Sequence, residues 1–367
     1  NATTLLSVQP IGRLQTPFHF NRFRTSWMNR KSPLIILWQS RVLTLFALAI
    51  CGCQSGNDSD KPLRLKMAHV YEVSAPTHSY GTAHLAERLQ KITDDLDVTV
   101  YPAAQLGSEA ELLEQLVAGE LDLAISGPSF LAMWHPPLGV LDAAFASRDL
   151  DHMLETARGE EMAPHWEELR VRYGVRVLDT WAYGSRHITS NVPIRHPDDL
   201  EGFRLRLPGA RIWQASGEAL GASPMPISFA EVYLALQQGI ADGQENPVPV
   251  IKAMGFHEVQ KCLNVTGHIQ SSVQILMNER AWQRLSPEQQ THLMNAVQEL
   301  GKEVNAGTIK DEIRLIEEWR NDGTMQIVED VDVDAFRKRA REHFSTGYAF
   351  SELYNRITSE PEESQKP

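Results

Sequence analysis

Two segments of this chain repeat one pattern of helix-boundary residues. SEAELLEQLVAGELD begins at Ser108, and SFAEVYLALQQGIAD begins 120 residues later at Ser228. Each copy has Glu three residues after the Ser, as in a capping box that starts a helix. Each also has Gly eleven residues after the Ser, where a left-handed residue ends a helix, and then Asp, at Asp122 and Asp242. The repeat predicts one supersecondary unit in each of two lobes.

A short segment follows each copy, reading ISGPSF after the first and GQENPV after the second. We predict that each strand here leads into a loop at a cleft between the lobes, because open α/β sheets bind ligands at the ends of their strands. Elsewhere, β-rich runs such as LRLKMAHV at residues 63–70 alternate with amphipathic helical runs. The predicted fold class is therefore α/β with two lobes.

A long helix is predicted after the second copy. Ser286 begins it, Pro287 suits its first position, and Gln289 completes a capping box. Helical character continues to about Arg320, which gives a helix roughly 45 Å long. A helix of that length spans both lobes, and we expect this one to do so.

The first sixty residues are predicted to be an export signal and tether outside the fold. Residues 42–50 read VLTLFALAI and follow several basic residues, which is the pattern of a signal peptide and is too short to span a bilayer. Gly52 then precedes Cys53, which resembles a lipoprotein cleavage site and predicts Cys53 as the lipidated residue. A cleaved signal without lipid and an uncleaved anchor are the alternatives, and Met28 is the expected start.

The chain has 367 residues and a formal net charge of −12. This charge argues against a nucleic-acid partner, since phosphate binding needs a surplus of Lys and Arg. Any anion site must therefore be built locally from a few Arg residues. Cys262 is expected to be a small buried side chain, and His69, His78 and His84 lack the spacing of a metal site. No metal or cofactor is predicted.

Much of the chain resembles the substrate-binding proteins of TRAP transporters (tripartite ATP-independent periplasmic transporters). The resemblance covers nearly all of residues 63–350 and is strongest in GFRLRLPGARIWQASGEALGASPMPISFAEVYLALQQGIADGQENPV, followed by FHEVQKCLNVTGHIQSSVQILMNERAW. Upstream, VYPAAQLGSEAELLEQLVAGELDLAI and PPLGVLDAAF belong to it too. It implies a monomeric periplasmic protein with a cleft between two α/β lobes, a small organic carboxylate as ligand and membrane permease subunits as partners.

The resemblance also implies lobe boundaries. Lobe I is expected at residues 61–183 with about 272–311, and lobe II at 184–271 with about 312–358. Residues 359–367 are expected to form a flexible tail.

The resemblance implies that Arg206, in the strand FRLRL, clamps the ligand carboxylate. A guanidinium binds a carboxylate through two parallel hydrogen bonds, which fix its orientation. A salt bridge to Asp or Glu is the alternative role for Arg206. Arg204 is expected on the opposite face of the strand. Arg186 aligns with the family's second cleft arginine, with a surface charge on a hinge strand as the alternative.

Further contacts are implied by position. Asn246 aligns with a cleft asparagine, and Phe229 aligns with a residue that stacks on ligand, although a core phenylalanine is the alternative. Glu109 aligns with an acidic contact of the sialate-binding branch. Gly127 and Phe130 stand where that branch has an acidic and a basic residue, which argues against sialic acid as the ligand.

Glu72 and His78 follow the first strand, where ligand-specific contacts arise, and Tyr183 is a candidate aromatic wall. Together the residues predict a hydroxylated carboxylate, namely a sugar acid such as a hexuronate or aldonate, with a C4-dicarboxylate as the alternative. No nucleophile elbow, phosphate loop or metal motif points to an enzyme. We therefore predict a binding protein that closes on its ligand, and a lipoprotein that presents ligand to a receptor is the other possibility.

Overall fold

The computed structural model describes residues 62–359, so the predicted signal peptide, Cys53 and all of the predicted tail after Ser359 lie outside the described residues. The strands are β1 (Leu63–Ala68), β2 (Leu96–Tyr101), β3 (Leu123–Ser126), β4 (Val175–Ser190), β5 (Arg204–Leu207), β6 (Ser223–Pro226), β7 (Gly243–Pro247), β8 (Cys262–Asn278) and β9 (Gln326–Val328). They form one mixed sheet.

Helices pack around this sheet. The α-helices are α1 (Leu85–Gln90), α2 (Glu109–Ala118), α3 (Pro128–Leu131), α4 (Leu150–Arg158), α5 (Ala163–Tyr173), α6 (Arg211–Leu220), α7 (Val232–Gln237), α8 (Val248–Ala253), α9 (Glu279–Gln283), α10 (Pro287–Asp322), α11 (Val333–Phe344) and α12 (Ser351–Ser359). None of the helices within residues 62–359 combines the length and apolar character that a membrane crossing requires.

The sheet consists of two matching halves around a central antiparallel pair. Its strand order is β2-β1-β3-β8-β4-β7-β5-β6, with β9 paired to β8. In the first half, β1 lies parallel between β2 and β3, and in the second half β5 lies parallel between β6 and β7. The long strands β8 and β4 run antiparallel between the halves. The register places the carboxyl ends of β3 and β7 along this central pair, with Ser126 opposite Gln274 of β8 and Pro247 opposite Arg186 of β4.

The repeated sequence pattern marks the same helix in each half, although the two helices start differently. The capping box predicted for the first copy forms before α2, and Gly119 ends that helix with a φ of 83°. The second copy opens with a 3₁₀ turn over Phe229–Glu231 before α7. The capping box predicted there is wrong, because the Glu231 N–H bonds to the backbone oxygen of Ser228 at 3.0 Å. The Ser228 hydroxyl donates to the Glu231 carboxylate, as the Ser108 hydroxyl does to that of Glu111, but the Glu111 carboxylate also accepts from the backbone N–H of Ser108.

The Asp that closes each copy joins two parallel strands. The backbone N–H of Lys66 in β1 donates to Asp122 at 2.8 Å, and that of Arg204 in β5 donates to Asp242 at 2.9 Å. The next residue along each strand opens the pairing of β1 with β3 and of β5 with β7. The repeat is therefore a structural unit present once in each half, as the sequence predicted.

The segments predicted to be loops after the two copies are strand ends that pass almost directly into helices. Gly127 alone separates β3 from α3, and β7 is followed by α8 without a linker. The loop prediction is wrong because a proline occupies the first turn of each helix, where its fixed φ suits a helix start. The backbone can therefore turn from strand to helix without intervening residues.

The predicted long helix is confirmed as α10, with 36 residues and a length of about 54 Å. It packs on β4, on α1 from the first half and on α8 from the second half. Two glycines allow this close approach. A Cβ at Gly301 would lie 2.6 Å from Nε1 of Trp181, and one at Gly307 would lie 2.5 Å from Cδ2 of Tyr80. Any larger residue at these positions would push α10 away from its neighbours.

Candidate functional site

A cavity of about 600 Å³ opens where the parallel strands end, as expected for an α/β sheet. Residues within a few positions after β1, β2, β3, β5 and β6 line it, together with parts of β4, β7 and β8. Six of the eight predicted ligand contacts lie in its wall: Arg206, Arg186, Asn246, Phe229, Glu109 and Tyr183. The fold therefore brings together six residues that lie more than 130 positions apart at their extremes, from Glu109 to Asn246.

Arg206 is a buried guanidinium with an unused donor. Its Nε and Nη2 atoms donate to the backbone oxygen of Ile227 at 3.0 and 2.6 Å. Its Nη1 atom is buried and has no acceptor among the described residues, and none of their carboxylates forms a salt bridge with Arg206. Burial lowers the pKa of Arg206 to about 10, against the opposing effect of Glu245. A buried cation without a partner favours an anionic ligand.

Arg204, two residues earlier on β5, has the structural role expected of the opposite strand face. Its Nε and Nη2 atoms donate to the Asp242 carboxylate at 3.0 and 2.5 Å, and its side chain is half-exposed. Arg204 is absent from the cavity wall. The two arginines of one strand therefore separate into a structural ion pair and a cavity residue.

Arg186 is buried rather than a surface charge, with 3% of its surface exposed. It donates through Nε and Nη2 to the Glu245 carboxylate at 2.5 and 2.7 Å, and its guanidinium lies 4.5 Å from the Trp213 ring centre. Burial opposes the charge of Arg186, but Glu245 outweighs burial and raises the arginine pKa. Because Glu245 already neutralises Arg186, Arg206 carries the uncompensated positive charge of this side.

Asn246 is held in one orientation by its neighbours. Its Oδ1 accepts from Nη2 of Arg186 at 3.0 Å, and its Nδ2 donates to Gln244 at 2.6 Å. The second Nδ2 hydrogen has no acceptor among the described residues, and Asn246 lines the cavity. We call Arg186, Arg206 and Asn246 the arginine wall. Phe229 lies beside this wall, with its ring centre 5.9 Å from the Arg206 guanidinium and an edge-on contact to the core ring of Phe256.

Carboxyl groups lie on the opposite side of the β4/β8 pair. Oε1 of Glu109, at the start of α2, accepts hydrogen bonds of 2.8 Å from the Gly127 N–H and the Ser126 hydroxyl. Behind Gly127, Oδ2 of the fully buried Asp142 accepts from the N–H and hydroxyl of Ser129 at 2.9 and 2.5 Å. Desolvation raises the pKa of Glu109 to about 7 and that of Asp142 to about 6. We call Glu109, Gly127 and Asp142 the acidic wall.

Two aromatic residues of the cavity were missed by the sequence analysis. Tyr71 follows β1 and its ring lies 5.1 Å from that of Tyr183, while Trp213 projects from α6 onto Arg186. The position of Tyr71 just past a strand end is a signal that could have found it. Trp213 has no such signal, because its place depends on how α6 packs against the sheet.

The structure does not bring Glu72 and His78 to the cavity. Glu72 is half-buried in the turn after β1, and His78 lies in a helical turn where its Nδ1 is 2.9 Å from the Thr82 hydroxyl. Nδ1 of His78 also lies 3.2 Å from Nε2 of His69. The part of the chain that the structure describes contains no group of three or more His, Cys, Asp or Glu side chains arranged to hold a metal ion.

The sequence matches a known protein family and several relatives. Residues 67–349 match the model of DctP, bacterial extracellular solute-binding protein family 7. The chain is 33% identical over 289 residues to the sialic acid-binding periplasmic protein of Vibrio cholerae, across 77% of this chain and 88% of that protein. Relatives such as this one are named as solute-binding proteins, not as enzymes.

Solved structures agree with the two-lobed fold. A TRAP periplasmic solute-binding protein from Roseobacter denitrificans with bound L-galactonate has a TM-score of 0.76 and 30% identity, over 82% of this chain and all of that one. One from Ochrobacterium anthropi with bound L-fuconate has a TM-score of 0.75 and 28% identity, over 81% and 99%. The chain belongs to bacterial extracellular solute-binding protein family 7, the TRAP substrate-binding proteins.

Proposed function

We propose that this protein captures a sugar acid in the cavity and delivers it to a TRAP permease. The observation that carries the proposal is the buried Arg206, whose Nη1 lies unpartnered in a cavity wall. A ligand carboxylate supplies the missing anion. The sugar acids bound to similar proteins from Roseobacter denitrificans and Ochrobacterium anthropi support this ligand class.

The remaining wall suits the rest of a sugar acid. The free N–H of Asn246 reaches the carboxylate end, while the hydroxyls of Tyr71 and Ser272 and the carboxyl of Glu109 suit ligand hydroxyl groups. The rings of Phe229 and Trp213 cover the carbon skeleton. Because these groups come from both halves of the sheet, a bound ligand stabilises the closed arrangement and shifts the population towards it.

Delivery requires an extracytoplasmic location and a membrane partner. We propose that the protein is exported, that Cys53 is its lipid attachment point and that permease subunits receive the ligand. The lobe boundaries at 61–183 with 272–311, and at 184–271 with 312–358, remain part of the same proposal. Cys53 lies outside the described residues, so this part rests on the sequence and on the family.

Replacing Arg206 tests the proposal. We expect Arg206→Ala to weaken binding of L-galactonate or L-fuconate by about 100-fold or more, equivalent to roughly 2.7 kcal/mol, because the carboxylate loses its charged partner. Thermal shift identifies which acid binds, and isothermal titration calorimetry measures Kd.

Arg204→Ala is the matched control, since Arg204 lies on the same strand and faces Asp242 outside the cavity. This variant is expected to lower the melting temperature but to keep the Kd of the wild type. Full affinity in Arg206→Ala would rule out the clamp, and binding of no sugar acid by the wild type would rule out the proposed ligand class.

A further inference from the structure

Two carboxyl groups flank one glycine at the acidic wall. A Cβ at Gly127 would lie 3.9 Å from Oε1 of Glu109 and 3.8 Å from Oδ2 of Asp142. Glu109 is half-buried because one side of it faces the cavity, whereas Asp142 is fully buried behind Gly127. A side chain at position 127 would pack against both carboxyl groups, whereas glycine leaves that space empty.

Each carboxyl group of the pair keeps one oxygen without a protein donor. Among the described residues, no donor reaches Oε2 of Glu109, which is not buried, and none reaches the buried Oδ1 of Asp142. The wall around Gly127 therefore presents hydrogen-bond acceptors and negative charge to the cavity. A hydroxyl group, which donates a hydrogen bond, suits such a wall, whereas a carboxylate does not.

Neighbouring titratable groups do not neutralise the negative charge that Glu109 and Asp142 bring to the cavity wall. The titratable groups acting on the pair are Tyr71 after β1, Tyr183 and Arg186 on β4, Arg206 on β5 and Glu245 on β7. Both tyrosines have raised pKa values, through burial first, and are neutral at pH 7.

The two arginines differ in what they leave for a ligand. Arg186 is neutralised by Glu245, and Arg206 is the cation left for a ligand. The part of the cavity formed by residues 62–359 therefore has one site for an anion, at the arginine wall, and an opposing side that disfavours a second anion.

We propose that Glu109 and Asp142 make the cavity selective for acids with one carboxylate and a hydroxylated, uncharged far end, and exclude acids with a carboxylate at both ends. This inference rests on the proposed function, in which Arg206 holds the ligand carboxylate. Glu109 acts by direct contact with the far end of the ligand. Asp142 acts through its charge from behind Gly127. Glu109 and Asp142 would therefore also exclude a C4-dicarboxylate, the alternative ligand class.

The test compares ligands that differ only at the far end. L-galactonate and galactarate share a six-carbon hydroxylated chain, and galactarate has a carboxylate in place of the terminal CH₂OH. Gluconate with glucarate and mannonate with mannarate are equivalent pairs. Titration calorimetry at pH 8 gives a selectivity factor, the Kd of the diacid divided by that of the monoacid. We expect a factor of about 100 or more for the wild type.

Neutral variants test whether the pair causes this selectivity. Glu109→Gln and Asp142→Asn are each expected to lower the factor about tenfold or more, and the double variant to bring it below about ten. Glu111→Gln is the control, since Glu111 lies on the same helix, is exposed and does not line the cavity. The far-UV circular dichroism spectrum and the melting temperature of each variant show whether it is folded.

The wild-type factor should also fall as the pH is lowered from 8 to 5.5. The pKa values of Glu109 and Asp142 are raised to about 7 and about 6, so both groups gain protons in that range while the diacid stays ionised. The double variant should show a flat profile. A factor near one in the wild type, or an unchanged factor in the double variant, would overturn the inference alone. Binding of none of the three monoacids would instead sink the proposed function and this inference with it.

Discussion

The two halves of the sheet share one backbone frame and present opposite chemistry to the cavity. Both have the strand order of an inner strand between two parallel neighbours, and both are closed by an Asp that accepts a backbone N–H. At matching positions, the first half has Ala68, Glu109 and Ser126, and the second has Arg206, Phe229 and Asn246. The frame depends on backbone bonds and helix ends, so strand-end side chains are free to differ. Site chemistry therefore varies without any change of topology.

The two halves also differ in charge at the residue just before Asn246 and Ser126. The second half contains the buried Arg186–Glu245 pair, whereas the position that matches Glu245 in the first half is the buried apolar Ile125. The buried Arg186 needs a carboxylate as its counter-charge. The first half has no buried arginine at this place and needs no carboxylate there. Substitutions at matched positions can therefore separate what the frame needs from what the site needs.

The largest expected difference is at this matched pair. We expect Glu245→Gln to lower the free energy of unfolding by ~3–5 kcal/mol, because Arg186 would remain buried without its counter-charge. Ile125→Val should cost only ~0.5–1.5 kcal/mol, the usual effect of one lost methylene. Urea denaturation of both variants measures the difference. Similar costs at the two positions would show that Arg186 does not depend on Glu245 for its stability in the buried state.

A smaller and symmetric effect is expected at the two Asp residues that close the units. Asp122→Ala and Asp242→Ala should each cost ~1–3 kcal/mol, since each leaves the N–H of Lys66 or Arg204 without its acceptor. Asn at either position keeps an oxygen for that N–H and should cost less. Denaturation curves of the four variants test this, and a loss confined to one half would contradict the shared frame.

The smallest effect should distinguish the two helix starts. Ser108→Ala removes a residue of a capping box and should cost ~1 kcal/mol, as should Ser286→Ala at the start of α10. Ser228→Ala should cost less than ~0.5 kcal/mol, because Ser228 opens a 3₁₀ turn and belongs to no capping box. Thermal and urea denaturation compare the three. Equal costs at Ser108 and Ser228 would show that the second start is an ordinary cap.

Much of the fold was predictable because its signals are local. The repeated units, the long helix and its capping box, and the two faces of the strand around Arg204 and Arg206 follow from caps and periodicity within short segments. The 3₁₀ turn at Phe229 was not predictable in this way, since the same Ser and Glu spacing fits both kinds of helix start. The loops predicted after β3 and β7 are wrong, because a proline in the first turn of α3 and of α8 lets each helix begin almost directly after its strand.

The candidate site divides in the same manner. The family resemblance gave Arg206, Arg186, Asn246, Phe229 and Glu109, all of which line the cavity. It gave no warning that Glu245 neutralises Arg186 across 59 positions of sequence, or that Asp142 lies behind Gly127. Glu72 and His78 were placed by sequence proximity to a strand end, and the turn after β1 carries them away from the cavity.

By itself, the sequence determined where the long helix lies, that the chain holds two copies of one unit, and, through the family motif, which arginine strand lines the cavity. Each of these depends on interactions within about fifteen residues or on a motif that is contiguous. Only the tertiary structure decided the charge of the site. Among residues 62–359, Arg206 is the one cavity cation without a carboxylate partner, because the pairing of β4 with β7 joins Arg186 to Glu245. The packing behind β3 brings Asp142 close to Gly127.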